Sequence, residues 1–280
     1  MDQIAALEAE VVTTCLEHKR AHQSEGTYRA AVRVGTEFFV KFGHSSDLGP
    51  EIETQRYISD HAMTNPGRGV PRIPRVLHSF ERDGTTYLVM EFINLVPTPE
   101  DFIDKVTAAL LWLASVPAPP DHVLGPLGGG RLRHGLFKDA RAPLPFSSVG
   151  ALERIHPSLI HDLGQAYTLL SSTTRRTVSP VQIQGRRLLF SQNDMDDSNF
   201  GVDEHGNLVL LDFAEIGWTP EALVAQTMFS KPRLAPVAAA LGLSNEYCTS
   251  MSHISLVLKM VGRPKLGLDE NGNPRATSVR

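Results

Sequence analysis

The chain changes character near residue 92, and that change narrows the folds open to it. Up to Phe92 short apolar runs alternate with tight turn signals; beyond it, helical periodicity and proline-rich connections take over. Residues 3–19 place Ile4, Leu7, Val11 and Cys15 at steps of three and four, with Val12 and Leu16 widening the stripe, which predicts one amphipathic helix. Tyr28–Val34 and Glu37–Phe42 read as strands joined at Gly35-Thr36, where glycine suits the first position of a type II′ turn. Pro50 to Met63 reads as a helix opened by proline, whose missing N–H costs nothing in a first turn. Arg75–Phe80 and Thr86–Phe92 read as two more strands, and the Asp83-Gly84 pair between them is a strong hairpin signal. The first ninety residues are thus expected to form a small antiparallel sheet with one inserted helix.

Past Phe92 the expected elements are a helix over Glu100–Ser115, a long loop over 117–150, and a helix over Pro157–Ser172. Short strands at Arg187–Phe190, Phe200–Val202 and Leu208–Leu211 come next, then a mainly helical stretch over 219–262 and a frayed polar tail from Leu266. The fold class is α+β, with a β-rich N-terminal part and a larger, mainly helical C-terminal part.

A chain of 280 residues with 41% hydrophobic and 21% charged residues can bury a core without disulfides. Cys15 and Cys248 give neither a disulfide framework nor a metal knuckle. With 27 Lys and Arg against 31 Asp and Glu, the net charge of −4 offers no basic stripe for nucleic acid. No run approaches 18 apolar residues, and the acidic N-terminus has no apolar core of signal-peptide length. The expectation is a cytoplasmic protein with neither membrane nor nucleic acid as partner. The histidines show no zinc spacing, His78 and His161 read as ordinary surface or half-buried residues, and no Gly-x-Ser-x-Gly elbow is present.

The chemistry concentrates in residues 190–217, FSQNDMDDSNFGVDEHGNLVLLDFAEIG. Asp194, Asp196, Asp197, Asn199 and Asp212 are too many acidic and polar groups for an interior unless they bind something positive. A hairpin between Asn199 and Asp212 would return both to one end, placing an amide and a carboxylate side by side as oxygen ligands for Mg²⁺. Asp194 would lie one loop away, placed to accept a proton from a hydroxyl. A calcium loop of EF-hand type does not fit, because its sixth and twelfth positions here are Asn199 and His205. Gly128-Gly129-Gly130 lacks the Gly-Lys-Ser/Thr ending of a phosphate loop and reads as a flexible stretch.

The Asp194-x4-Asn199 spacing followed by Leu211-Asp212-Phe213 resembles the catalytic and metal loops of the aminoglycoside phosphotransferase and choline-kinase-like family of the protein-kinase-like fold. Phe39-Val40-Lys41 resembles its nucleotide-lysine strand, Glu51 the glutamate that pairs with that lysine, and Val70-Pro71-Arg72-Ile73-Pro74 the segment after the helix. Tyr87–Ile93 resembles its hinge. Gly217-Trp218-Thr219-Pro220-Glu221 reads as a turn, and with the proline-rich stretch Ser115–Pro119 and the glycine run it is similar to a fungal branch of the family.

The resemblance implies a bilobal fold: residues 1–92 as a nucleotide-binding lobe ending in a hinge at about 90–94, and 93–280 as a helical lobe carrying the loops at 190–217. It further implies ATP and Mg²⁺ as cofactors and a small-molecule hydroxyl as acceptor. Lys41 and Glu51, with Glu53 as the competing glutamate, would serve the phosphates, and Glu91, Phe92 and Ile93 would hold adenine. Asp194 would be the catalytic base, and Asn199 and Asp212 the metal ligands. Three positions depart from the family pattern. Gln192-Asn193 replaces His-Gly before the aspartate, Ala214 stands where a kinase has glycine, and the nucleotide loop, expected near Ser24-Glu25-Gly26-Thr27, holds one glycine. The alternative reading is a pseudokinase or nucleotide-binding scaffold without transfer activity. Protein-kinase activity is disfavoured, since no Ala-Pro-Glu element follows Asp212.

Overall fold

The computed structural model describes residues 2–154, 181–260 and 269–273, so the helix expected over Pro157–Ser172, and His161 with it, lies outside the described residues. Helix α1 (Asp2–His22) leads into strands β1 (Ala31–Val34) and β2 (Phe38–Gly43). Helix α2 (Ser45–Thr64) follows, then strands β3 (Val76–Arg82) and β4 (Thr85–Glu91). The four strands form one antiparallel sheet in the order β1-β2-β4-β3. Asp83 and Gly84 both take positive φ (51° and 70°), as a type I′ turn requires. The β1–β2 turn differs from expectation: Val34 pairs with Phe38, so the loop holds Gly35, Thr36 and Glu37 rather than two residues.

The sheet is covered on both faces. Val11 and Cys15 of α1 pack with Val34, Val40, Phe42, Tyr87 and Val89, while Leu48 and Ile52 of α2 pack with Leu88 and Met90. That is why β4 reads as a continuous apolar run rather than an alternation. The stripe on α1 is narrower than its sequence suggests, because Ile4 and Leu16 stay exposed. In β2 the residues alternate, so Val40 and Phe42 face α1 and Lys41 turns toward α2.

Helix α2 begins five residues before the expected start. His44 caps it, its Nδ1 accepting from Ser46 N at 3.2 Å, and Pro50 lies inside the helix rather than at its opening. The proline removes one helical hydrogen bond, and burial of Leu48, Ile52 and Ile58 on either side of it holds the helix together.

After β4 come α3 (Phe102–Ser115), the short α4 (Val149–Glu153), β5 (Leu188–Gln192), β6 (Phe200–Val202), β7 (Leu208–Leu210) and β8 (Ile216–Pro220). Helices α5 (Glu221–Phe229), α6 (Ala235–Ala240) and α7 (Cys248–Met260) complete this part. The α+β organisation expected from the sequence is present. Val106, Leu110 and Leu113 of α3 join Leu189, Phe190, Leu210, Phe213, Val224 and Met228 in the main core. The 117–150 segment builds core as well: Leu132, Phe137, Leu144 and Phe146 pack with Leu223, Met251 and Leu258.

Strand β8 corrects the reading of Gly217–Glu221 as a turn. It pairs antiparallel with β5, and on its other edge Gly125 and Trp218 exchange backbone hydrogen bonds of 2.9 and 2.8 Å. Gly217 is required by that crossing, since a Cβ there would stand 2.8 Å from the Gly125 carbonyl carbon. Gly217→Ala is therefore expected to lower stability by about 2 kcal/mol, in the range of core overpacking, read as a lower urea midpoint at unchanged slope.

The Gly128–Gly130 run is also corrected. All three residues take positive φ (75°, 87° and 108°), and Cβ atoms on Gly128 and Gly130 would press on Glu53 and Pro50 of α2 at 3.0 and 3.3 Å. The glycines give a defined left-handed path laid against α2, not a flexible stretch.

Part of the tail expected to be frayed is docked. Arg154 donates to Asn271 O through Nε (2.9 Å) and Nη2 (2.6 Å), and Ser147 N donates to Glu270 O at 3.0 Å. Residues 269–273, Asp-Glu-Asn-Gly-Asn, repeat the turn made by residues 203–207, Asp-Glu-His-Gly-Asn. In each, the aspartate Oδ1 accepts from backbone N–H groups two and four residues on, and the glycine takes positive φ.

Candidate functional site

Strand β2 presents Lys41 toward α2, and there it meets two carboxylates from distant parts of the chain. Its Nζ lies 2.5 Å from Glu51 Oε1 and 2.7 Å from Asp212 Oδ1. Glu51 is the partner, as the resemblance favoured; Glu53 is exposed, pairs with Arg56 at 3.4 Å and packs beside Gly128. Burial works against the charge on Lys41, but the two carboxylates outweigh it and hold the ammonium above the usual lysine range. Burial likewise disfavours the charged Asp212, and Lys41 outweighs it, so the carboxyl sits below its ordinary range.

The β6–β7 hairpin does what the spacing predicts. Leu211 N donates to Asn199 O at 2.9 Å, which brings Asn199 and Asp212 to the same end. Asn199 Nδ2 donates to Asp194 O at 2.8 Å, leaving its Oδ1 as a ligand-type oxygen. Asp212 takes a left-handed backbone conformation (φ 52°, ψ 75°), a strained placement for a residue other than glycine and one that occurs at functional sites. The turn of the hairpin is pinned by Asp203, which is buried. Burial pushes its carboxyl up, yet hydrogen bonds from the Asn207 and His205 amides and the Arg72 guanidinium bring it down to about 2.

Asp194 is exposed, and among the described residues its carboxylate has no hydrogen-bond or ion-pair partner. Its backbone is held instead, with its N–H donating to Gln192 Oε1 at 3.2 Å. Gln192 Nε2 in turn donates to Asp212 O (3.0 Å) and Leu211 O (3.3 Å), so this buried amide joins the two loops. Asn193 needs no positive φ, and its Nδ2 donates to Arg133 O (2.9 Å) and Thr219 Oγ1 (3.1 Å), while its Oδ1 is buried without a hydrogen-bond partner among the described residues. Asp196 caps the turn after Asp194 by accepting from Ser198 N, and Asp197 pairs with Arg233; both are exposed.

At the end of β4 the arrangement is only partly as expected. The Glu91 and Phe92 amides are spent inside the protein, on Arg75 O (3.1 Å) and Glu37 O (2.7 Å). The Glu91 carboxylate stands 3.6 and 3.5 Å from Arg72 and Arg75, and the Phe92 ring lies 3.9 Å from the Arg33 guanidinium carbon. Of the three, the Ile93 amide alone has no protein acceptor among the described residues. Residues 24–27 connect α1 to β1 instead of joining two strands, and Glu25 pairs with His22 Nδ1 at 2.8 Å.

Three basic residues escaped the sequence reading. Lys231 Nζ and Arg233 Nη2, just after α5, both donate to Met195 O, at 2.6 and 3.1 Å. Arg133, from the 117–150 segment, reaches Glu215 at 3.2 Å and Asp47 at 3.5 Å. Burial raises the Glu215 carboxyl above its usual range, against the pull of Arg133. None of these residues sits in a periodic pattern; for Arg133 the only signal was a basic residue inside a long, glycine-rich connection, and for Lys231 and Arg233 there was none.

No family profile matches the sequence, and no curated protein matches it. Solved structures similar to the chain include the GDP complex of aminoglycoside 2'-phosphotransferase-IIIa, with 13% identity, 84% of this chain and 80% of that one covered, and a TM-score of 0.49. Aminoglycoside phosphotransferase APH(4)-Ia shows 15% identity, 87% and 89% coverage and a TM-score of 0.48. APH(3'')-Id from Streptomyces rimosus, in complex with ADP and streptomycin, shows 13% identity, 88% and 98% coverage and a TM-score of 0.45.

Proposed function

We propose that the protein is an ATP- and Mg²⁺-dependent phosphotransferase that delivers the γ-phosphate to a hydroxyl of a small molecule. One observation carries this reading: Lys41, Glu51 and Asp212, drawn from β2, α2 and the end of the β6–β7 hairpin, meet at 2.5 and 2.7 Å. A half-buried ammonium held charged beside a carboxylate suits phosphate oxygens, and phosphoryl transfer asks of a protein mainly positioning and neutralisation of charge.

The donor set fits Mg²⁺. An amide oxygen and a carboxylate at one end of a hairpin are hard ligands, and two protein ligands leave room for waters and phosphates. No trio of His, Cys, Asp or Glu suited to a more fully caged ion exists among the described residues. Asn199 and Asp212 would hold the ion, which when bound neutralises phosphate charge. Lys41 then binds phosphate, Glu51 orients Lys41, and the exposed Asp194 carboxylate accepts the hydroxyl proton. The Ile93 amide is the donor open to the base of the nucleotide.

A small acceptor is favoured over a protein by the chain after Asp212. Strand β8 begins at Ile216 and α5 at Glu221, which leaves no room for a long loop that could dock a polypeptide. The accommodation of Asn193 and the bridging by Gln192 favour the transferase over the scaffold reading, because the departures from the family pattern leave the loop intact.

The test is thermal stability with ATP alone, Mg²⁺ alone and both together. Ligand at a hundred times its dissociation constant adds ~2.7 kcal/mol to the folded state. The expected outcome is a rise in melting temperature that needs both ligands and disappears in Asp212→Ala. The same shift with ATP alone, retained in that variant, would remove the metal assignment.

A further inference from the structure

We propose that Arg133 is a positioning residue that clasps the first turn of α2 to the segment following Asp212, and so keeps Lys41, Glu51 and Asp212 in register. The inference deepens the phosphotransferase reading and rests on it for its catalytic meaning. Its geometric basis stands by itself.

The guanidinium spans two elements that share no covalent neighbour. Nη1 donates to Glu215 Oε1 at 3.2 Å, three residues beyond Asp212, and Nη2 lies 3.5 Å from Asp47 Oδ1, four residues before Glu51. Arg141 also pairs with Asp47 and bridges Arg133 through the backbone, so the carboxylate of α2 is gripped by two arginines from one segment. The backbone of Arg133 is fixed too, because Asn193, directly before Asp194, donates to its carbonyl at 2.9 Å. One residue therefore touches α2, the Asp212 segment and the catalytic loop. Its charge favours the ionised forms of Glu51, Asp212 and Glu215 alike.

Geometry also explains why arginine is needed. A planar fork can serve two carboxylates on different elements at once, which a single ammonium on a flexible stem does poorly. Without it, Glu215 and Asp47 lose a shared partner, and α2 is free to shift against the hairpin without unfolding.

The experiment compares wild type with Arg133→Gln and Arg133→Lys. Amide hydrogen exchange is followed without nucleotide, and affinity for ATP with Mg²⁺ is followed by calorimetry. Arg133→Gln is expected to speed exchange about tenfold in residues 45–51 and 212–217 while β3 and β4 keep their protection. Affinity for ATP with Mg²⁺ should fall about tenfold, as for a lost charge-assisted contact. Arg133→Lys should recover part of both effects. Wild-type exchange in the two segments, or a uniform acceleration along the chain, overturns the proposal. Should wild type itself bind no ATP with Mg²⁺, the phosphotransferase reading fails, and the exchange result still decides the clasp. If Arg133→Gln does not fold, Asp47→Asn removes one arm and is judged by the same two segments.

Discussion

Replacing Asp194 by Asn is expected to lower acceptor-dependent ADP release by ~10²–10⁴-fold, the range that a positioned general base contributes, with affinity for ATP and Mg²⁺ unchanged. The separation of the two effects follows from how the loop is held. Asp194 is fixed by its backbone, through Gln192 Oε1 and Asn199 Nδ2, and its carboxylate is exposed and unpaired among the described residues. Asparagine keeps the shape and those backbone bonds while losing the proton acceptor. The oxygens of Asn199 and Asp212 proposed to hold the metal lie on the neighbouring hairpin, apart from the Asp194 carboxylate. Turnover is measured across a panel of small alcohols and sugars, and affinity by calorimetry. A variant that binds and turns over like wild type would show that Asp194 is not the base.

Acid is expected to unfold the C-terminal part through His134. This histidine is 1% exposed. Its Nδ1 accepts from Leu136 N at 3.0 Å, and its Nε2 lies 3.0 Å from Leu223 O, an arrangement that uses the neutral ring and leaves no acceptor for a second proton. Burial, opposed by the Leu223 carbonyl, pushes the ring down to about 4 from an ordinary 6.5. Because the folded value is depressed, the unfolded chain binds a proton between pH 6.5 and 4 that the folded chain refuses. Stability therefore stands in full above pH 6.5 and drains away as the pH falls toward 4, by ~3 kcal/mol in all. Urea unfolding at pH 7 and pH 4.5 measures it, and His134→Gln should flatten the difference. An equal loss in that variant would place the acid sensitivity elsewhere. Asp203 acts in a lower window, its contribution disappearing between about pH 4 and 2.

Much of the site was legible because its residues are tied to local geometry. Asp83-Gly84 specifies its turn by itself, and three-residue strands around residues 203–207 leave Asn199 and Asp212 nowhere to go but side by side. Lys41 and Glu51 were found through the resemblance of Phe39-Val40-Lys41 and Glu51 to a lysine strand and its paired glutamate, and the alternation of β2 agrees with it. What stayed hidden depends on contacts far apart in sequence. Pro50 signals a helix start, but the start is set by His44, and the proline is carried by packing on both sides. Gly128–Gly130 looked flexible because nothing local says that α2 lies against them. Gly217 looked like a turn residue because the reason for it, the backbone of Gly125, is ninety residues away. Arg133 and His134 sit in an aperiodic connection, where their partners Asp47, Glu215 and Leu223 cannot be guessed from spacing. The docking at 269–273 was within reach, since Asp-Glu-x-Gly-Asn occurs twice and folds the same way both times.

The β6–β7 hairpin is sewn to the stretches that enter and leave the sheet. Arg72 exchanges backbone hydrogen bonds with Leu208 and Leu210 (2.7 and 2.9 Å), and Val96 N donates to Val202 O at 2.8 Å. Any rocking of the sheet against the helices must turn about these stitches, and points close to a pivot travel least. Asn199 and Asp212 therefore ride at the axis, while α2 swings at the end of a lever arm. On that geometry, opening the cleft would carry Lys41 and Glu51 away from Asp212 and leave the oxygens proposed to hold the metal where they stand.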